Sequence, residues 1–249
     1  MAAFRSFFLV AALAGLIAGA FITIVHQFGT VPIILHAEVF EKAGEEAAAP
    51  AASTPAPAMS MAAPAATTAA AEHDHEHGAE AWEPQDGFER TAYTLLADVL
   101  TGIGFALLLV AAYAVHGGEI DWRRGLFWGL AGFATFTLAP GLGLPPEVPG
   151  TEAAPLFDRQ VWWVATALAT GGGLALIFLT RSALWTLAGI VLLVLPHAYG
   201  APQPAEFKSV APESLAHDFI VAAVITSLLF WAVLGSLTGL LYQRFRPAA

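Results

Sequence analysis

The chain has 249 residues, of which 57% are apolar and only 12% charged, with a formal net charge of −10 and no cysteine. A soluble domain carries about 25% charged residues, so the composition is that of a membrane protein. The negative balance argues against a nucleic-acid partner, and the lack of cysteine removes disulfides and thiolate metal sites.

The apolar residues fall in long runs rather than at strand or amphipathic-helix spacing. Lipid offers no partner to an open backbone, so each run is expected to be a helix, and about 20 residues cross a bilayer core. The first run is Phe4 to Val25. Arg5 and the Ala18-Gly19-Ala20 step resemble a cleavable signal, but the run continues unbroken through Phe21 to Val25, longer than a signal core, which predicts a retained span. Val31 to Lys42, with Pro32 at its start, predicts a short interfacial helix.

Residues 47–71 are almost only Ala, Pro, Ser, Thr and Met, which predicts a linker without a packed core. Three histidines, His73, His75 and His77, then alternate with Asp74 and Glu76. In an extended chain, residues two apart share a face at roughly 6–7 Å. Imidazole is the commonest side-chain metal ligand and suits Zn, Cu, Fe and Ni, and by the same borderline softness Co. The tract reads as a metal-capturing tether, or alternatively as a solvated polar stretch. Met59 and Met61 add two thioethers nearby, which suit Cu(I). The chain thus divides into residues 1–46, a span with an interfacial segment; 47–89, a disordered linker with the His tract; and 90–249, a five-helix membrane bundle.

The second run, Ala92 to Val115, contains Asp98 in its outer half. A charge deep in a span costs about 2.5–3.5 kcal/mol on insertion scales, so an acid there is a functional candidate by default. The third run is Leu126 to Leu138. Residues 140–163 follow, with prolines and glycines that exclude a helix through the first half. They predict a rigid outer loop bearing Glu147 and Glu152, with Asp158, Arg159 and Gln160 opening the fourth helix. That span is Val161 to Leu179, and Trp162 and Trp163 suit an aromatic belt. The fifth run, Leu184 to Leu195, closes at Pro196-His197, and the sixth, Phe219 to Leu241, opens after His217-Asp218. The fold class is therefore all-α, a bundle of about six transmembrane helices with a disordered Ala/Pro/His-rich outer loop. Gly15/Gly19, Gly125/Gly129 and Gly235/Gly239 are GxxxG steps that let helix backbones approach closely.

Six basic residues, Arg5, Arg123, Arg124, Arg181, Arg244 and Arg246, fall on one side of these spans, against Lys42, Arg90, Arg159 and Lys208 on the other. The positive-inside rule puts the first group, and both termini, in the cytoplasm. Sixteen acids then lie outside with those four bases, a face that concentrates cations. His26, His36, His197 and His217 all fall at the outer interface, with His116 inside. His26, His197, His217 and Asp218, together with Asp98, are expected to line one outward-facing metal path.

The loop Pro140-Gly141-Leu142-Gly143-Leu144-Pro145-Pro146-Glu147 with Pro149-Gly150-Thr151-Glu152, then Arg159-Gln160-Val161-Trp162-Trp163, resembles the CbtA-type family of cobalt transporter subunits found in prokaryotic membranes. Leu195-Pro196-His197 with Gly200-Ala201-Pro202, and Phe230-Trp231 with Gly235, resemble it too. The likeness covers all the spans but not the Ala/Pro linker. It implies a multi-pass protein of the cytoplasmic (inner) membrane that imports cobalt for cobalamin supply. It also implies a small partner subunit with one span and a His-rich end. The family is described with five spans where the runs above give six.

These residues point to an importer, or importer subunit, for a divalent transition-metal cation. Cobalt is expected as the transported substrate rather than as a cofactor, with nickel and copper as alternatives. An accessory subunit whose partner forms the path is the second reading. An enzyme is not expected: no GxxxxGK[ST], H-E-x-x-H or G-x-S-x-G occurs. A membrane potential of 100 mV supplies about 2.3 kcal/mol per charge to drive entry.

Overall fold

Long apolar runs dictate helices, and the glycines within them decide which helices meet. The computed structural model describes residues 2–48 and 84–245. In chain order the helices are α1 (Ala2–Phe28), α2 (Thr30–Ala48), α3 (Phe88–His116) and α4 (Trp122–Phe133). A π-helical segment, Ala134–Leu138, runs on into α5 (Ala139–Gly143), followed by α6 (Leu156–Leu179), α7 (Ala183–Tyr199) and α8 (Glu213–Phe245). Five stretches are long and apolar enough to cross a membrane: Phe4–Phe28, Phe88–His116, Trp122–Gly143, Leu156–Leu179 and Glu213–Phe245. The shorter apolar helix α7 has 17 residues. The chain is thus an all-α, multi-pass membrane protein, and among the described residues the one β pairing is the isolated bridge Thr151–Ser209. The His73, His75 and His77 tract and nearly all of the linker lie outside the described residues.

Three antiparallel helix pairs organise the bundle, each seated on glycine. A methyl group on Gly15 would lie 2.5 Å from Ile103 Cα, and one on Gly19 2.5 Å from Val99 Cα, which seats α1 on α3. On Gly125 it would lie 2.8 Å from Gly239 Cα, and on Gly129 2.9 Å from Gly235 Cα, so two GxxxG steps interlock α4 with α8. On Gly173 it would lie 2.7 Å from the Gly189 carbonyl, joining α6 to α7. Backbones this close gain dispersion contacts, which hold helices together where lipid removes any hydrophobic drive.

Between the pairs sits an aromatic cluster. Phe105 lies 4.7 Å from Trp231 and 5.1 Å from Phe136 between ring centroids, and Phe136 stacks on Trp231 at 5.7 Å. Some threonine hydroxyls turn back on their own helices, while those of Thr166 and Thr170 are buried without a hydrogen-bond partner among the described residues. Thr238 donates to the Leu234 carbonyl at 2.6 Å and Thr180 to that of Leu176 at 2.6 Å, which satisfies a polar group without water. Large apolar side chains such as Leu100, Leu168, Leu187 and Val191 are exposed, as a lipid-facing surface requires.

One stretch differs from the sequence reading. Pro140 to Gly143 were expected in an irregular loop, yet they are helical. Pro140 lacks an N–H and its ring crowds the preceding turn. The helix accommodates it by widening just before it: the Ala139 N–H reaches back five residues to the Ala134 carbonyl. The remainder of the loop, from Leu144 to Pro155, is non-helical as expected.

The two ends of the bundle are distinct. At one end the Ser6 hydroxyl donates to the Phe245 carbonyl, so α1 begins where α8 finishes. At the other, α2 lies with Ala37 packed against Val148 and Ala211, over the loops that precede α6 and α8. The Glu152 N–H donates to the Lys208 carbonyl at 2.9 Å, tying those two loops together.

Candidate functional site

The close approach of α1 and α3 decides what Asp98 meets. Gly19 lets the α1 backbone sit against Asp98 and Val99. One turn further, the Thr23 hydroxyl lies 2.8 Å from Asp98 Oδ2 and 2.9 Å from the Gly19 carbonyl, so its single proton serves one acceptor at a time. Three residues on, His26 presents Nε2 3.9 Å from Asp98 Oδ1, while its Nδ1 is 2.8 Å from the Thr30 hydroxyl. The side chains of His26 and Asp98 are 26% and 19% exposed.

A separation of 3.9 Å is too long for a hydrogen bond. Two bonds of about 2.1 Å on a tetrahedral transition metal place an imidazole nitrogen and a carboxylate oxygen roughly 3.4 Å apart, so the pair would close by about half an ångström around an ion. Thr30 on Nδ1 fixes the ring, as a hydrogen bond on the far nitrogen does for ligating histidines. The pair supplies two ligands. Among the described residues, no group of three or more His, Asp or Glu is placed to hold a metal ion. An ion here keeps other ligands, such as water, which suits a site that must release what it binds.

A cavity of about 300 Å³ adjoins His26, bounded by His26, Thr30 and Ile34 on one side and by Arg90, Thr91 and Thr94 on the other. Arg90 is held across it. Its Nη1 lies 3.2 Å from Glu38 Oε2 and 2.8 Å from Asp86 Oδ1, and its Nη2 contacts Glu38 Oε1.

The outer loop motif surrounds a second cavity of about 640 Å³, lined among others by Phe136, Pro140, Glu147, Arg159, Trp163 and Val224. Arg159 Nη2 lies 3.2 Å from Glu147 Oε2, so these two charges offset each other at the rim. Trp162 is buried and its Nε1 donates to the Pro196 carbonyl at 3.4 Å. Gly143 admits that ring, since a methyl group there would lie 2.7 Å from Trp162 Cζ2. Trp163 faces Phe136 at 6.1 Å between centroids. Glu152 and Asp158 are exposed.

The remaining predicted residues stand apart from the His26–Asp98 pair. His197 is edge-on to Trp162 at 5.9 Å, at the end of α7. His217 Nδ1 is 3.9 Å from Asp218 Oδ1, and both side chains are largely exposed. No hydrogen bond or ion pair joins either residue to His26 or Asp98 among the described residues. All of them do lie at the α2 end of the bundle. Sequence reading missed Thr23, Thr30 and the Arg90–Glu38 contact. Only the three- and four-residue spacings from His26 to Thr23 and Thr30, which place all three on one face of α1 and its continuation, hinted at the first two.

A family model described as a probable cobalt transporter subunit (CbtA) matches residues 4–243. No curated protein and no solved structure matches the chain.

Proposed function

The chain belongs to the CbtA family of probable cobalt transporter subunits, and from that premise we propose that it carries a divalent transition-metal cation inward past His26 and Asp98, with cobalt as the cargo and nickel or copper as the alternatives. The observation that carries this reading is the pairing of an imidazole nitrogen and an intramembrane carboxylate at 3.9 Å, with a hydroxyl on each. Imidazole selects a transition metal over calcium or magnesium, and the carboxylate offsets its charge in a low dielectric.

The other residues serve this step from outside. His73, His75 and His77 form a capture tether within a linker of residues 47–89 that joins residues 1–46 to the bundle of residues 90–249. His197, and His217 with Asp218, stand with Glu152 and Asp158 on an acidic outer face that raises the local cation concentration. The Glu147–Arg159 pair and Trp162 hold the rigid loop between α5 and α6. The excess of basic residues on one side supports cytoplasmic termini, and the family likeness supports a prokaryotic inner membrane. The family's description as a subunit supports a partner in the transport complex, for which a small single-span, His-rich membrane protein is the fit. No catalytic step is assigned to any residue.

A second reading has one observation in its favour: the described residues place only two strong metal ligands together. An accessory role, with the partner completing the path, accounts for that. Cobalt flux into proteoliposomes holding the purified chain alone separates the two. Flux abolished by omitting the chain supports the transporter, and flux that appears only with a second subunit supports the accessory role. Uptake of cobalt, nickel and copper, resolved by element in cells with and without the protein, tests the metal. Equal accumulation of all three in both cell lines overturns the proposal.

A further inference from the structure

The helix α2 is too polar to cross the membrane: Glu38, Glu41, Lys42, Glu45 and Glu46 fall within its 19 residues. It follows α1 after the single residue Gly29, and its first turn contributes Thr30, Val31 and Ile34 to the wall of the cavity beside His26. The opposite wall is the start of α3, and the two walls are bridged by Arg90, the one Arg or Lys among the described residues that line the cavity. Resting on the transport reading above, we infer that α2 is a lid over the outer mouth of the His26–Asp98 site, hinged at Gly29 and latched by Arg90 on Glu38.

Charge explains how such a latch responds to its cargo. The guanidinium grips both oxygens of Glu38 and one of Asp86, the fork geometry that makes Arg–carboxylate pairs strong. One positive charge facing two negative ones leaves the cluster net negative, so a divalent cation is drawn to it. The carboxylates that hold Arg90 are the ones a cation would take, and they cannot serve both. A cation that engages Glu38 or Asp86 therefore favours the released lid by its differential affinity for that state. The rest of α2 is held by apolar contact, Ala37 in a cluster with Val148 and Ala211 against which Leu215 and Phe219 pack, and Gly44 against Val210, so losing the latch removes its only charged tie to α3 among the described residues.

The absence of cysteine makes this testable in the full chain. Thr94→Cys places one thiol inside the cavity, to be labelled in intact cells with a membrane-impermeant maleimide. Adding Glu38→Gln should raise the labelling rate several-fold, and Arg90→Lys, which keeps the charge but loses the fork, should raise it less. Cobalt added to the Thr94→Cys protein should also raise it. Equal rates with the latch intact and broken overturn the lid. In the second arm, a Cβ on Gly44 would lie 3.7 Å from Val210 Cβ, within the range of a disulfide, whose Cβ atoms average about 3.8 Å apart. Gly44→Cys with Val210→Cys, once oxidised, should slow cobalt uptake several-fold, and reductant should restore it. Equal uptake by the locked and reduced forms overturns the lid while leaving transport standing. If the wild-type chain moves no cobalt, the transport reading fails and the labelling rates alone decide the lid.

Discussion

Asp98 owes its surroundings to Gly19, one turn before Thr23. Without a side chain at Gly19, α1 comes close enough for the Thr23 hydroxyl to reach the carboxylate at 2.8 Å. Thr23→Val keeps the shape but removes that donor, and should lower the maximal rate of cobalt uptake with little change in the amount of protein in the membrane. An unchanged rate would show that the hydroxyl is a bystander. The His tract is expected to act differently, because a tether supplies ions without forming their path. Replacing His73, His75 and His77 with Ala should raise the cobalt concentration needed for half-maximal uptake and leave the maximal rate alone. A lower rate at saturating cobalt would contradict the tether. Asp98 itself was legible in the sequence, since an acid inside an apolar run stands out. Its partners were not. Thr23 reads as an ordinary small residue of a span, and the Arg90–Glu38 contact joins residues 52 apart with no pattern to announce it.

The helix pairs give the firmest predictions at the scale of the element. On Gly235 a methyl group would lie 2.5 Å from the Gly125 carbonyl and 2.7 Å from Gly129 Cα, both backbone atoms that cannot yield. Gly235→Ala should therefore destabilise the bundle by about 1–3 kcal/mol, the usual cost of overpacking. Gly104 is the control, because nothing lies within 4 Å of a methyl group there. Gly104→Ala should be neutral or stabilising by about 0.5–1 kcal/mol, since glycine is a poor helix former. Melting of the two purified variants in detergent checks this, and equal melting temperatures would refute the interlock. The spans and the glycine steps were legible because hydropathy and GxxxG are local patterns. The helical run through Pro140 was not, because proline counts against a helix locally and the widened turn that rescues it depends on residues 134–139 acting together.

For the whole molecule, the contact of Ser6 with Phe245 puts the beginning of α1 and the end of α8 on one side, which the positive-inside rule predicts to be cytoplasmic. A reporter fused after Ala249 should read cytoplasmic, and a tag near Ala58 should be reachable from outside intact cells. A protected tag would invert the orientation and remove the basis for capture from outside. On the proposed transport reading, the acidic face, the His26–Asp98 pair and the membrane potential act in one direction, drawing a cation to the outer end of the bundle and past a carboxylate set in the span. The most direct test of that sequence is cobalt uptake by Asp98→Asn, compared with wild type at equal membrane abundance. Asparagine keeps the shape and removes the charge, so uptake should fall to the level of cells lacking the protein. Uptake that stays at the wild-type rate would contradict passage of the ion past Asp98.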